Sequence, residues 1–141
     1  MQFVKANNSY IIRLEKGESI IEKLELLCQE ENISTAFLSG LGALLSATLA
    51  FYNLEKKEYE LKKLSETHEI VSLVGNITLV DGKPFVHSHC VLSNSKFECF
   101  GGHLKEGAVG ATCEIHLTKL DTEIERKLDE EIGLKLLDCS A

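Results

Sequence analysis

The residues of this chain best suited to chemistry are histidines. Three of the five fall close together: His87 and His89 in Phe85-Val86-His87-Ser88-His89-Cys90-Val91, and His103 directly after Gly101-Gly102. Alternate residues of a β-strand project from one face, roughly 6.5–7 Å apart along the backbone. His87 and His89 therefore point the same way, and two imidazoles so placed can reach one ion. Ser88 and Cys90 point oppositely, which makes Cys90 a poor ligand. Paired glycines tolerate positive φ and close backbone approach, so Gly101-Gly102 suits a sharp turn that brings the next strand back and sets His103 against the first two. Three neutral imidazoles around one divalent ion, zinc by donor type, leave a fourth position for water or a substrate, as in catalytic zinc sites. Water on such an ion loses its proton near pH ~7, so the chemistry on offer is that of a metal-dependent lyase or hydrolase acting on a small oxygenated molecule. The competing reading is a hydrogen-bonded histidine cluster that fills a polar pocket. The sequence singles out no catalytic side chain beyond these ligands.

Other polar residues carry less. His68, after Thr67, reads as a surface residue at the start of a strand. His116 shares a face with Glu114 and Thr112 and reads as part of a solvated surface, although Glu114 is a candidate to orient a ligand imidazole. Asn76 sits in an apolar strand, where an amide needs hydrogen-bond partners. Gly40-Leu41-Gly42 lacks the third glycine and the Lys-Ser/Thr of a phosphate cradle, and no G-x-S-x-G elbow is present.

The elements that must position the histidines are mostly strands. Tyr10 to Leu14 reads as a strand ending at Gly17. Ser19 and Glu22 form a capping box, followed by Ile20, Ile21, Leu24, Leu27 and Cys28 at helical spacing, so a helix is expected to finish near Asn32. Beyond it the apolar period becomes two, with strands expected at Thr35 to Leu38, Ala47 to Phe51, Tyr59 to Leu64, His68 to Leu79, Phe85 to Leu92, Lys96 to Phe100 and Ala108 to Leu117. Gly40-Leu41-Gly42 reads as a tight connection and Asp81-Gly82-Lys83-Pro84 as a turn. The tail from Thr122 to Leu137 suits a short helix interrupted by Gly133. The class is α+β, a mainly antiparallel β-sheet flanked by a few helices, in one domain over residues 1–141.

Composition narrows the partners. Twenty-two carboxylates face 15 basic side chains, a formal charge of -7, and Arg13 and Arg126 are the only arginines. Lys56-Lys57 and Lys62-Lys63 are interleaved with Glu55, Glu58 and Glu60, which reads as a solvated charged face rather than a nucleic-acid footprint. The five cysteines show no C-x-x-C spacing, and the opening MQFVKANNSY has no apolar core of a leader. No uninterrupted apolar run approaches 18 residues. A reducing cytoplasmic setting without membrane contact is expected.

Four segments then occur in order: Ile12-Arg13-Leu14-Glu15-Lys16-Gly17-Glu18, Leu38-Ser39-Gly40-Leu41-Gly42-Ala43, His68-Glu69-Ile70-Val71-Ser72-Leu73-Val74-Gly75-Asn76-Ile77, and His87-Ser88-His89 with Gly101-Gly102-His103-Leu104. Together, from about Tyr10 to Leu120, they resemble the plants-and-prokaryotes-conserved (PPC) domain in its stand-alone bacterial or archaeal form. The resemblance implies a mainly antiparallel sheet flanked by helices and a homotrimer. It also implies that His87, His89 and His103 hold zinc or another divalent ion. Plant members join the domain to AT-hooks that bind DNA. This chain has no Arg-Gly-Arg-Pro core, so DNA binding does not carry over. The alternative to an enzyme is a non-enzymatic homotrimeric assembly or regulatory module, associated with transcription or binding DNA.

Overall fold

Ser19 opens the helix of this protein because its side chain accepts a hydrogen bond from the Glu22 amide at 3.5 Å, satisfying one of the donors a helix start leaves free. In the computed structural model, which describes residues 1–140, that helix is α1 (Ile20–Glu30), and Ile20, Leu24, Leu27 and Cys28 are its buried stripe. It is the only helix among the described residues, where several were expected.

The rest is antiparallel β. The strands are β1 (Gln2–Ala6), β2 (Ser9–Glu15), β3 (Ala36–Asn53), β4 (Glu58–Leu64), β5 (His68–Val80), β6 (Lys83–Ser93), β7 (Cys99–Lys119), β8 (Arg126–Asp129) and β9 (Leu134–Leu137). Seven of them form one sheet in the order β1-β2-β7-β6-β5-β3-β4, and β7 also pairs with β3, so the ladder closes on itself. Closure leaves an interior filled by alternate residues such as Tyr10, Ile12 and Leu14 of β2, Leu73 and Ile77 of β5, and Cys113, Ile115 and Leu117 of β7.

Two long strands make the closure, and glycine lets them bend. Gly40-Leu41-Gly42 is not a connection between strands but a bulge within β3, where the register to β5 shifts. At Gly42, with φ +149°, a Cβ would lie 2.2 Å from the Thr112 carbonyl oxygen. Only glycine allows the two backbones that approach. Asp81 (φ 53°) and Gly82 (φ 73°) form the expected turn between β5 and β6, the positive-φ pair that a two-residue hairpin requires.

Two further expectations are corrected. Lys96 to Glu98 is not strand: the Asn94 side-chain oxygen accepts from the Lys96 and Glu98 amides at 2.9 and 3.1 Å and organises the reversal before β7. Residues Thr122 to Leu137 hold no helix; β8 and β9 pair as a hairpin, with Gly133 (φ +80°) in its turn. The N-terminal Gln2–Ala6, which has no apolar alternation, is an edge strand on β2 with every residue exposed.

Candidate metal centre

Strand alternation does for β6 what its sequence requires. Val86, Ser88, Cys90 and Leu92 are buried on the core side, while His87 is half-buried and His89 exposed on the other. Burial pushes the Cys90 thiol up to about 11, so it is a protonated core residue and not a ligand. β7 runs antiparallel to β6 with His103 directly opposite His89, and cross-strand partners share a face. Gly101-Gly102 delivers His103 by a different route from the expected turn. Neither glycine has positive φ; the reversal is made earlier, at Asn94. What they provide is proximity. A Cβ on Gly101 would stand 2.5 Å from the Cys90 carbonyl oxygen, and one on Gly102 3.0 Å from that of Ala50.

The three rings converge. One nitrogen from each of His87, His89 and His103 lies within 4.8 Å of the others, and ring centroids are 5.3 Å apart for His87–His89 and His87–His103 and 5.5 Å for His89–His103. Burial, then Arg126 and His89, lowers the pKa of His87. Burial, then the neighbouring His87 and His89, pushes His103 down to about 4. These two rings are therefore neutral at physiological pH, the form in which imidazole offers a lone pair. His103 Nδ1 is buried without a hydrogen-bond partner, a costly state for a polar atom that a ligated ion would relieve. The donor set thus fits a borderline divalent cation held by three nitrogens.

A second group of residues, which the sequence did not connect with the histidines, flanks the site. Arg126, the first residue of the β8–β9 hairpin, is buried at 8% exposure. Its Nε donates to Thr78 Oγ1 (2.9 Å), Nη1 to the Lys135 carbonyl (3.1 Å), and Nη2 to Asn76 Oδ1 (2.9 Å) and His87 Nδ1 (3.2 Å). Asn76, directly opposite His87 in the β5–β6 ladder, thereby gains the partner its setting demands. Tyr59 of β4 places its ring 5.4 Å from that of His103, and burial raises its phenol pKa. Arg126 and Tyr59 line a cavity of about 380 Å³ that His87 and His103 border. The available signal for Arg126 was scarcity, since it is one of two arginines; nothing local distinguishes it from the solvated charges of its segment.

The other histidines stand apart. His68 is not on the surface: it is 6% exposed, with Nδ1 2.6 Å from the Glu66 carbonyl and its ring edge-on to Phe100 at 5.3 Å. The β5 register puts it on the same inward side as Ile70. His116 is exposed, as is Glu114, which lies opposite Arg13 and Leu41 and away from the three-histidine cluster.

Known proteins share this fold. A protein described as a plant- and prokaryote-conserved (PPC) protein from Pyrococcus horikoshii superposes with TM-score 0.88 at 38% identity, covering 97% of this chain and 94% of that one. A metal-containing protein from Archaeoglobus fulgidus gives TM-score 0.88 at 38% identity, with 96% of each chain covered. A candidate DNA-binding protein from Bacteroides thetaiotaomicron gives TM-score 0.95 at 27% identity over 99% and 98% of the two chains. Among curated proteins, a bifunctional protein GlmU from a Synechococcus strain is 32% identical over 127 residues, and the chain spans 19% of its length. Residues 1–121 match the Plants and Prokaryotes Conserved (PCC) domain, and the chain belongs to that family.

Proposed function

We propose that this protein binds one divalent metal ion, zinc by donor type, through His87, His89 and His103, and presents it to a small oxygenated substrate in the adjoining cavity. The observation that carries the reading is the convergence of three ring nitrogens within 4.8 Å, with the buried Nδ1 of His103 left unpartnered. The metal-containing relative from Archaeoglobus fulgidus supports it. A bound divalent ion supplies Lewis-acid polarisation to a carbonyl or to water. The chain's own residues do the rest: His87 and His103 border the cavity, Phe85 and Leu136 give it an apolar wall, and Tyr59 offers a phenol close to His103. The class of reaction is that of a metal-dependent lyase or hydrolase.

The test is elemental analysis of purified protein. One equivalent of zinc or another divalent ion is expected in the wild type, and His87→Ala, His89→Ala and His103→Ala should each lose most of it. Full stoichiometry in any one of these variants removes that residue from the ligand set.

A second reading, a non-enzymatic assembly module working as a homotrimer, has its own support. Ile11, Leu41, Val71 and Val74 are each more than half exposed and line one shallow groove on the outside of the sheet, where further copies of the chain would bury them. Sedimentation equilibrium decides it: a monomer at micromolar concentration would defeat self-assembly. Direct DNA binding draws on the Bacteroides relative, but a net charge of -7 works against it.

A further inference from the structure

Arg126 carries a buried positive charge that the protein does not neutralise. Among the described residues no carboxylate lies within ion-pairing distance of it, whereas exposed Arg13 pairs with Glu15 at 3.3 Å. Its partners Thr78, Asn76, His87 and the Lys135 carbonyl are all neutral. A buried, uncompensated charge is unfavourable, and here four oriented hydrogen bonds hold it in place beside a cavity.

The guanidinium has five N–H groups, so one has no acceptor among the described residues. A second, the Nη2 donor aimed at His87 Nδ1 at 3.2 Å, makes the longest of the four contacts. That contact and a metal at His87 exclude each other whichever nitrogen binds the ion. Ligation through Nδ1 uses the lone pair that accepts from Arg126; ligation through Nε2 moves the ring proton onto Nδ1, which then cannot accept. Holding a metal therefore frees a donor of Arg126 at the cavity.

The remaining wall defines what would meet that donor. Lys105, whose ammonium lies 5.6 Å from the Tyr59 ring centre, adds a second positive charge. Lys135 is already paired with Asp81 at 2.7 Å, and Glu25 is the one carboxylate on the lining. Apolar side chains, Phe85 and Leu134 among them, make up much of the rest. One guanidinium fork and one ammonium over an apolar wall suit a monocarboxylate with a short hydrocarbon body better than a phosphate, which asks for more donors.

We infer that the cavity takes a small 2-oxo carboxylate, its carboxylate on Arg126 and its oxo group toward the three histidines. The oxo half of this assignment rests on the metal reading above; the carboxylate half rests on Arg126, with Lys105 beside it, and needs no metal.

The probes are 2-oxobutyrate, its uncharged analogue 2-butanone, and inorganic phosphate, titrated into chelator-treated and zinc-loaded ¹⁵N-labelled protein. In the wild type, 2-oxobutyrate should shift the Arg126 side-chain Nε–H resonance in both forms, more tightly in the zinc-loaded one, while 2-butanone and phosphate leave it in place. R126M should weaken 2-oxobutyrate binding about tenfold or more, with R126K recovering part of it. The Nε–H readout uses unmutated protein and stands even where R126M fails to fold. No shift at Arg126 with millimolar 2-oxobutyrate, an equal response to 2-butanone, or tighter binding of phosphate would overturn the proposal. The metal-free titration is independent of zinc. Binding there by a protein that takes up no metal sinks the metal reading and leaves the carboxylate seat; zinc uptake without any carboxylate response does the reverse.

Discussion

Replacing Gly101 by alanine should damage the site and the fold together. A Cβ at this position would lie 2.5 Å from the Cys90 carbonyl oxygen, with the Cys90 carbonyl carbon and Val91 Cα both at 3.4 Å. The obstacle is backbone on a central strand, not the end of a flexible side chain. Real Cβ contacts essentially never fall under 3.0 Å and become ordinary only from 3.4 Å, so β7 must retreat from β6 by about 0.5–0.9 Å. His103 is two residues along the same strand and opposite His89, and ligand distances tolerate only about 0.2 Å of error. Overpacking of this kind costs about 1–3 kcal/mol of stability, and displaced ligand support costs about 10–100-fold in metal affinity. Urea unfolding of the metal-free protein reads the first effect, and zinc competition against a chromogenic chelator reads the second. Gly102→Ala, whose Cβ would meet the Ala50 oxygen at 3.0 Å, should be milder on both. A Gly101→Ala protein with wild-type urea midpoint and wild-type zinc affinity would refute the claim that strand proximity sets His103.

Three other perturbations have outcomes fixed by the same packing. Gly42→Ala combines a φ of +149° with a Cβ placed 2.2 Å from the Thr112 oxygen, so a loss of at least about 2 kcal/mol is expected in urea unfolding; a smaller loss would show that the β3 bulge can relax. Of the five thiols, Cys28 and Cys113 are buried and pushed up to about 12, Cys90 to about 11, and Cys99 and Cys139 are exposed. Ellman's reagent should therefore titrate two thiols in native protein and five in denaturant, and a third fast native thiol would contradict the burial. Glu18 accepts from the Glu15 amide at 2.8 Å and pairs with the Met1 ammonium (2.7 Å) and Lys23 (3.2 Å); the backbone hydrogen bond first, then these cations, hold its carboxyl at about 2 against the usual 4.5. A depressed folded pKa stabilises above the unfolded value and ceases to as pH falls through the folded one. Glu18→Gln should thus cost about 1 kcal/mol at pH 7 and nothing near pH 2, and a pH-independent difference would reject the ion pairing.

What could be read from sequence was whatever rests on strand period. His87-Ser88-His89 declares its geometry because alternation is local, and Asp81-Gly82 declares its turn because positive φ at two successive positions suits few residue pairs. The placement of His103 was legible only in outcome: the glycines matter for proximity between strands, which depends on a neighbour in register rather than on the residue's own dihedrals. Arg126 was not legible. Its contacts with Asn76 and His87 span 50 and 39 residues, and a lone arginine among Glu125, Lys127 and Asp129 looks like any solvated charge. His68 failed for a related reason: its burial is decided by Phe100 on another strand. The β8–β9 hairpin escaped because each strand has only four residues, too few for a period to show.

Arg126 also sets the terms on which the histidines accept an ion. A guanidinium 3.2 Å from His87 Nδ1 repels a dication and occupies, or dictates the tautomer of, one of its ligands. In a buffer free of carboxylates, R126M should therefore bind zinc more tightly than wild type, by about tenfold, a difference of ~1.4 kcal/mol. Adding 2-oxobutyrate should close the gap by raising wild-type affinity, since a carboxylate on the guanidinium cancels its charge and replaces the lost imidazole acceptor; R126M should not respond. Binding of zinc and of carboxylate to the wild type must then reinforce each other by one common factor, whichever is added first. Chelator competition with and without 2-oxobutyrate measures both sides of that equality. An R126M protein that binds zinc more weakly than wild type would mean that Arg126 holds His87 in place for the ion instead of competing with it.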